Sequence, residues 1–234
     1  MRDTVTQQLN NEFEGKEIVE TLRELASRFE GKIVFTTSFG IEDQVVTDMI
    51  FKNDLPVKVV TLDTGRLFEE TYKVYSRTLE QYQKPIYAYY PDAGHLEEFI
   101  AEKGPNSFYL SVENRKMCCH IRKVEPLRRA LEGMACWITG IRASQSNNRE
   151  NMEFFDWDDA FSIVKYNPLL KWELEDCREY VKTNHVPYNV LHDRGFVSIG
   201  CAPCTRAIQP GEDFRAGRWW WENNSKKECG LHAH

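Results

Sequence analysis

Five cysteines in this chain are spaced in ways that could do chemistry. Cys118 and Cys119 are adjacent, Cys201 and Cys204 bracket Ala202-Pro203, and Cys229 stands alone. Two pairs make a four-thiolate set and leave one separate reactive thiol. A Cys-x-x-Cys knuckle brings two thiolates to one turn, a usual metal-binding geometry. The adjacent pair fits a single zinc ion poorly, because neighbouring residues on a helix do not face one another. A [4Fe–4S] cluster takes four cysteines at separate corners and accepts that splay, so iron–sulfur ranks ahead of structural zinc. Lys116, Arg122 and Lys123 flank the first pair and Arg206 follows the second. Such cations would offset the negative charge of a thiolate cluster or hold an anion beside it. The bland alternative, buried thiols, is adopted for Cys136 and Cys177, which lie inside apolar patterns.

Cys229 sits in Lys226-Lys227-Glu228-Cys229-Gly230-Leu231-His232. The thiolate is the nucleophile, and nearby cations favour it. Lys226, Lys227 and His232 supply them, with Glu228 opposing. Gly230 permits a hinge, so a thiol carried here could swing in to attack and out to present its product. A frayed end with an incidental cysteine is the alternative. Upstream, Arg215 and Arg218 are three residues apart, which suits bidentate recognition of phosphate or sulfate. Trp219, Trp220 and Trp221 cannot all be exposed cheaply and should dock on the body or on a ligand, mostly as packing anchors.

These residues need a scaffold. Residues 17–29 have helical spacing, 32–37 read as a short buried strand, and 41–51 as a helix. The pattern recurs: strand 57–62, helix 67–82, strand 86–90, helix 95–101, helix 124–131, strand 135–139. Strands alternating with helices predict βαβ units and a parallel sheet. After Gly140 the regularity fades, apart from a helix at 173–183. Two turns, Thr37-Ser38-Phe39-Gly40 and Leu62-Asp63-Thr64-Gly65, fall at the carboxyl ends of consecutive strands, the edge where open α/β sheets bind ligands. A glycine turn feeding a helix offers free N–H groups to an anion, and both turns are expected to open on one crevice. Neither matches a Walker A or dinucleotide pattern.

The totals bound the rest. The chain has 234 residues, 41% of them hydrophobic and 28% charged. That suits one sizeable globular domain with a tail, and a core that needs no cross-links. No apolar run is long enough to cross a bilayer, and the polar N-terminus does not read as a signal peptide. A cytoplasmic protein is expected, where an odd count of seven cysteines favours metal ligation or redox chemistry over disulfides. A net charge of −6 argues against a nucleic-acid partner.

Taken together, these motifs resemble the bacterial assimilatory adenylylsulfate (APS) reductases of the APS/PAPS reductase family. The resemblance rests on the two turns, Cys118-Cys119-His120-Ile121-Arg122-Lys123, Gly140-Ile141-Arg142 with 145–149, Cys201-Ala202-Pro203-Cys204-Thr205-Arg206, and Glu228-Cys229-Gly230-Leu231-His232. It spans nearly the whole chain. It implies an adenine-nucleotide α-hydrolase-like α/β fold, with the Ser38 turn a modified pyrophosphatase loop. Residues 1–214 would form the nucleotide-binding domain carrying a [4Fe–4S] cluster on Cys118, Cys119, Cys201 and Cys204. Residues 215–234 would form a flexible tail carrying the catalytic Cys229. Adenosine 5′-phosphosulfate would be the substrate and thioredoxin, or a glutaredoxin-like protein, the reductant. The cluster is thought in this family to organise and polarise the site, not to carry electrons. Cys229 would attack the sulfate sulfur, AMP would leave, and the resulting S-sulfonate would yield sulfite. Ser38, Phe39, Gly40, Leu62 and Thr64 would hold the nucleotide, with Lys123, Arg215 and Arg218 on the phosphosulfate. Arg142, Arg149 and His232 would be further contacts. His120 departs from the family pattern, which has a small residue there. A PAPS-preferring or dual-specificity reductase is the first alternative. An ATP-dependent thiolation enzyme and a zinc-stapled nucleotide-binding protein are the others. A homo-oligomer is compatible with all of these readings.

Overall fold

The buried strands organise the fold. The computed structural model describes residues 2–145, 149 and 152–222, with side chains from residue 4 onward. The elements run in chain order from α1 (Arg2–Glu12) and α2 (Ile18–Arg28) to β1 (Ile33–Thr37), α3 (Ile41–Lys52) and β2 (Lys58–Leu62). Next come α4 (Glu69–Tyr82), β3 (Tyr87–Tyr89), α5 (Ala93–Lys103), α6 (Val112–Cys119), α7 (Glu125–Leu131) and β4 (Cys136–Ile138). The order closes with β5 (Phe155–Asp158), β6 (Ile163–Tyr166) and α8 (Leu174–Thr183). The chain divides into two compact units. Of the described residues, the first takes those up to 61, 70–87 and those within 133–190; the second takes 62–69, 88–132 and 191–222.

The first unit is built on a sheet of order β3-β2-β1-β4-β6-β5. β1 pairs in parallel with β2 and β4, and β4 with β6. β1 and β2 end level, with Thr37 opposite Thr61. The strand order turns back at β1, with β2 on one side and β4 on the other, so the switch point lies between β1 and β4. β1 is Ile-Val-Phe-Thr-Thr, buried at every position but Thr36, as a central parallel strand should be. α3 is buried almost all round, and its polar members are paired. Gln44 donates to Thr78 Oγ1 and to the Pro187 carbonyl, and Asp48 accepts from the Tyr82 and Tyr180 hydroxyls. Leu22 and Leu25 of α2, Cys177 and Val181 of α8, and Leu9 of α1 complete this core.

Two parts of the first unit lie outside the sequence expectation. α1 forms in the polar N-terminal stretch, placing Leu9 in the core while Asn10 bonds both ways with Phe155. β5 and β6 form an antiparallel hairpin at the edge, with Phe155 opposite Tyr166 and Asp158 opposite Ile163. Acidic residues in β5 hide it from a hydrophobic pattern. Asp158 is tolerated because its carboxylate pairs with the wholly buried Lys165 Nζ at 3.2 Å.

The second unit carries short helices around a smaller apolar cluster of Phe99, Phe108, Cys118, Ile121, Cys201, Cys204 and Trp219. Asp92 caps α5 by accepting the His95 N–H, and Ser111 caps α6 by accepting the Asn114 N–H. α6 also lies outside the sequence expectation. It runs through a π-helical turn (His120–Val124) into α7, where a proline sits in the first turn. Cys118 and Cys119 occupy the last two positions of α6, directly before that widened turn. Among the described residues, no helix is long and apolar enough to cross a membrane.

Candidate functional site

In the first unit the turn after β1 is held by the helix it feeds. Asp43, in the first turn of α3, accepts from both the Ser38 N–H and the Ser38 Oγ–H at 2.6 Å each. Phe39 takes φ +59°, an unusual value for a residue with a side chain. Its ring is locked in the core against Tyr75, 4.8 Å between centroids. Phe39 can therefore serve a ligand through the path of its backbone but not through its side chain. Burial pushes the Asp43 carboxyl up to about 6, against the two Ser38 hydrogen bonds that pull it down.

The loop after β4 approaches the same turn. A Cβ on Gly140 would overlap the Asp43 carboxylate. Arg142, 1% exposed, donates from Nε to Glu42 Oε1 at 2.9 Å and from Nη1 to Ser144 Oγ at 2.7 Å. Gln145 links Glu42 to Arg149, donating to Glu42 Oε1 and accepting from Arg149 Nη1. Ser38 and two arginines thus gather at the switch point, and Glu42 already balances Arg142. Asp43 takes both Ser38 donors, so acidic residues in the α3 first turn organise this cluster.

In the second unit Cys118, Cys119, Cys201 and Cys204 wall one cavity together with Arg66, Phe108, Arg115, Arg122 and Lys123. It holds about 300 Å³ of atom-free space, part of it open to solvent. Thr64 Oγ1 lies 3.2 Å from Cys201 Sγ, and the Thr64 carbonyl accepts from Arg122 Nη1 at 2.6 Å. The second turn is thereby tied to the cysteine cavity. Burial pushes the Cys204 thiol up to about 12; Cys201 adds to the rise, while Lys123 and Arg218 oppose it. Cys118 is raised by burial and held back chiefly by Arg122. Thiols raised in this way ionise only when something cationic joins them, as a bound metal does. Among the described residues, no group of three or more His, Cys, Asp and Glu side chains converges to hold a single ion. The sulfurs line a space and do not meet at a point. Arg122 Nε and Arg218 Nε are buried without a hydrogen-bond partner among the described residues, so each guanidinium keeps one donor to give. The donor set and these orphaned donors fit an anionic cluster.

Comparison with known proteins identifies the chain. A family model described as the phosphoadenosine phosphosulfate reductase domain matches residues 32–207. The chain belongs to this family. An adenosine 5′-phosphosulfate reductase of Sinorhizobium fredii strain NGR234 is 50% identical over 225 residues, covering 96% of this chain and 89% of the relative. The crystal structure of a phosphoadenylyl-sulfate reductase from Candida auris, in complex with phosphate, superposes with a TM-score of 0.74 at 28% identity. It covers 89% of this chain and 98% of that one. Yeast FAD synthetase shares the fold, with a TM-score of 0.55 at 17% identity over 87% of this chain and 67% of that one. The α/β, adenine-nucleotide α-hydrolase-like expectation therefore holds, with β5 as an added antiparallel edge.

Within this family frame, the sequence-predicted residues separate cleanly. Ser38, Gly40, Arg142 and Arg149 lie in the first unit around the switch-point turn. Leu62, half-buried, ends β2, and Thr64 turns its hydroxyl to Cys201. Lys123 lines the cysteine cavity. Arg206 is taken up by Glu212 through two 2.8 Å bonds, so it is not the spare cation its position implied. Arg218 is 7% exposed, lies over the Trp219 ring and donates to Ser198 Oγ. Gly200 leaves room for its guanidinium, which a Cβ would overlap. Arg215 is half-buried. Cys229 and His232 lie outside the described residues. Sequence reading missed Asp43 and Glu42, whose charges are hidden in a helix start, and Arg66 and Arg115, which lacked any motif to mark them. Arg115 pairs bidentately with Glu222 at 2.9 and 3.0 Å, both side chains buried.

Proposed function

We propose that the protein reduces adenosine 5′-phosphosulfate to sulfite and AMP, using Cys229 as nucleophile and a dithiol protein such as thioredoxin as reductant. The observation that carries this reading is the cysteine cavity: two pairs far apart in sequence face one space, ringed by Arg66, Arg122 and Lys123. The names of the relatives at 50% identity support the same substrate. Cys118, Cys119, Cys201 and Cys204 would hold a [4Fe–4S] cluster, whose spread-out corners suit sulfurs that line a space. When bound, that group supplies a fixed anionic body that orders the cations around it.

The chain's own residues do the rest. The Ser38 turn, with its Oγ and the start of α3, holds the nucleotide phosphate, and Arg149 adds an anion contact. Arg142 adds one only by sharing its guanidinium with Glu42. Leu62 packs by the adenosine and Thr64 orders the turn beside it. Lys123, Arg215 and Arg218 bind the phosphosulfate and neutralise charge as it moves to the leaving phosphate. The Cys229 thiolate attacks the sulfate sulfur; the sulfur–oxygen bond to phosphate breaks and AMP leaves with the electron pair. A reductant thiolate then attacks Cys229 Sγ and expels sulfite. Its second thiol resolves the mixed disulfide, so the sulfur gains two electrons and the dithiol loses two. His232 lies near enough in sequence to favour the Cys229 thiolate. Chemistry on free thiols assigns the protein to a reducing compartment, the cytoplasm.

The test is turnover by the oxygen-protected full chain, with iron and labile sulfide measured on the same sample. Equal amounts of sulfite and AMP from adenosine 5′-phosphosulfate and reduced thioredoxin are the expected result. Turnover of ATP to pyrophosphate, or an iron-free yet fully active protein, would overturn it. The Candida auris neighbour is a reductase of the 3′-phosphorylated substrate, which keeps that preference as a second reading. Competition between the two nucleotides decides it.

A further inference from the structure

An aromatic face lies outside the chemistry described so far. Leu110 is 78% exposed, Trp220 49% and Tyr109 41%. They are contiguous: Tyr109 adjoins Leu110 in the chain and meets the Trp221 ring edge-on at 4.5 Å between centroids, and Trp221 meets Trp220 at 5.7 Å. The Tyr109 hydroxyl donates to the Pro203 carbonyl at 2.8 Å, which anchors that end of the face. Pro203 lies inside the Cys201–Cys204 knuckle. Large exposed aromatic and aliphatic side chains in one place mark interaction sites, and aromatic residues are enriched at interface cores.

The chain's path says what would sit there. Glu222 follows Trp221 directly and is pinned by its buried ion pair with Arg115. Cys229 is seven residues further on, so it stays within about 25 Å of Glu222. Any protein that reduces Cys229 must therefore be held close to this root while two thiol exchanges run their course. We infer that the Tyr109–Leu110–Trp220 face is the docking surface for the dithiol reductant. The inference rests on the proposed role of Cys229. A small contact is enough, since transient redox encounters bury little area.

The experiment uses the full-length, cluster-loaded protein with Leu110→Asp and Trp220→Ala variants, neither of which touches the cysteine cavity. Three quantities are read: Cys229 S-sulfonate formed with adenosine 5′-phosphosulfate alone, its release by dithiothreitol, and its release by reduced thioredoxin. The expected result is about a tenfold rise in the KM for thioredoxin in each variant, with the other two quantities unchanged. An unchanged KM, in a protein that still forms the S-sulfonate, overturns the docking face and leaves the role of Cys229 standing. Absence of S-sulfonate from the wild type overturns the role of Cys229 and the docking face together. Slower S-sulfonate formation in the variants gives the face to the chain's own C-terminal segment. A wild-type oligomer that falls to monomers in Leu110→Asp gives it to a second copy. Either of these also overturns the inference.

Discussion

Single residues in the first unit carry sharply defined duties. Gly140 is the clearest: any Cβ there meets the Asp43 carboxylate that holds Ser38. Gly140→Ala should destabilise the protein by about 1–3 kcal/mol, the usual range for overpacking. It should also weaken nucleotide binding by releasing the Ser38 turn; denaturant melts and nucleotide titration of one preparation check both. Asp43 gives a pH signature. Its carboxyl sits at about 6 in the folded chain against an ordinary 3.8. Between those values the folded state keeps a proton that the unfolded chain has lost, so this contribution to stability falls as pH rises and is gone above about 6. The stability of the wild type relative to Asp43→Asn should therefore decline between about pH 4 and pH 6 and stay level above. A flat difference across that window would show that burial does not govern Asp43.

At the scale of elements, the root of the C-terminal segment is the telling case. Arg115 on α6 and Glu222 form a buried bidentate pair, with Arg115 also lying over the Trp219 ring at 4.5 Å. Glu222→Gln removes one charge and strands the other, which should cost about 3–5 kcal/mol. Arg115→Met with Glu222→Leu should cost less, since neither charge is then left alone. Urea melts of the single and double variants test this. No motif announced the pair, because a lone arginine and a lone glutamate about a hundred residues apart carry no spacing signal. The βαβ core, by contrast, was legible: β1, α3 and β2 match their hydrophobic periods to within a residue or two. α6 was not, because its only cue was the Ser111 cap before a polar run. β5 was not, because it carries Asp156 and Asp158, and the burial of Asp158 depends on Lys165 in β6. The cysteine pairs were legible as a set; that the Thr64 hydroxyl would face Cys201 was not, since a hydroxyl in a turn has no preferred direction in sequence.

Across the molecule the chemistry is divided among sulfurs. Cys136 and Cys177 are fully buried in the first unit, and burial pushes each thiol up to about 12. They stay protonated at neutral pH and offer no nucleophile. The four paired cysteines share one cavity in the second unit, and in the proposed reading they serve a cofactor. By this account only Cys229 is left to carry the sulfonate. The net charge of −6 makes the cations around the cavity a local feature of the chain. The most direct test is to give the oxygen-protected protein adenosine 5′-phosphosulfate with no reductant and map the modified residue by mass spectrometry. A single S-sulfonate is expected, on Cys229, with AMP released in equal amount. An adduct on Cys136 or Cys177, or sulfite released without any adduct on Cys229, would contradict it.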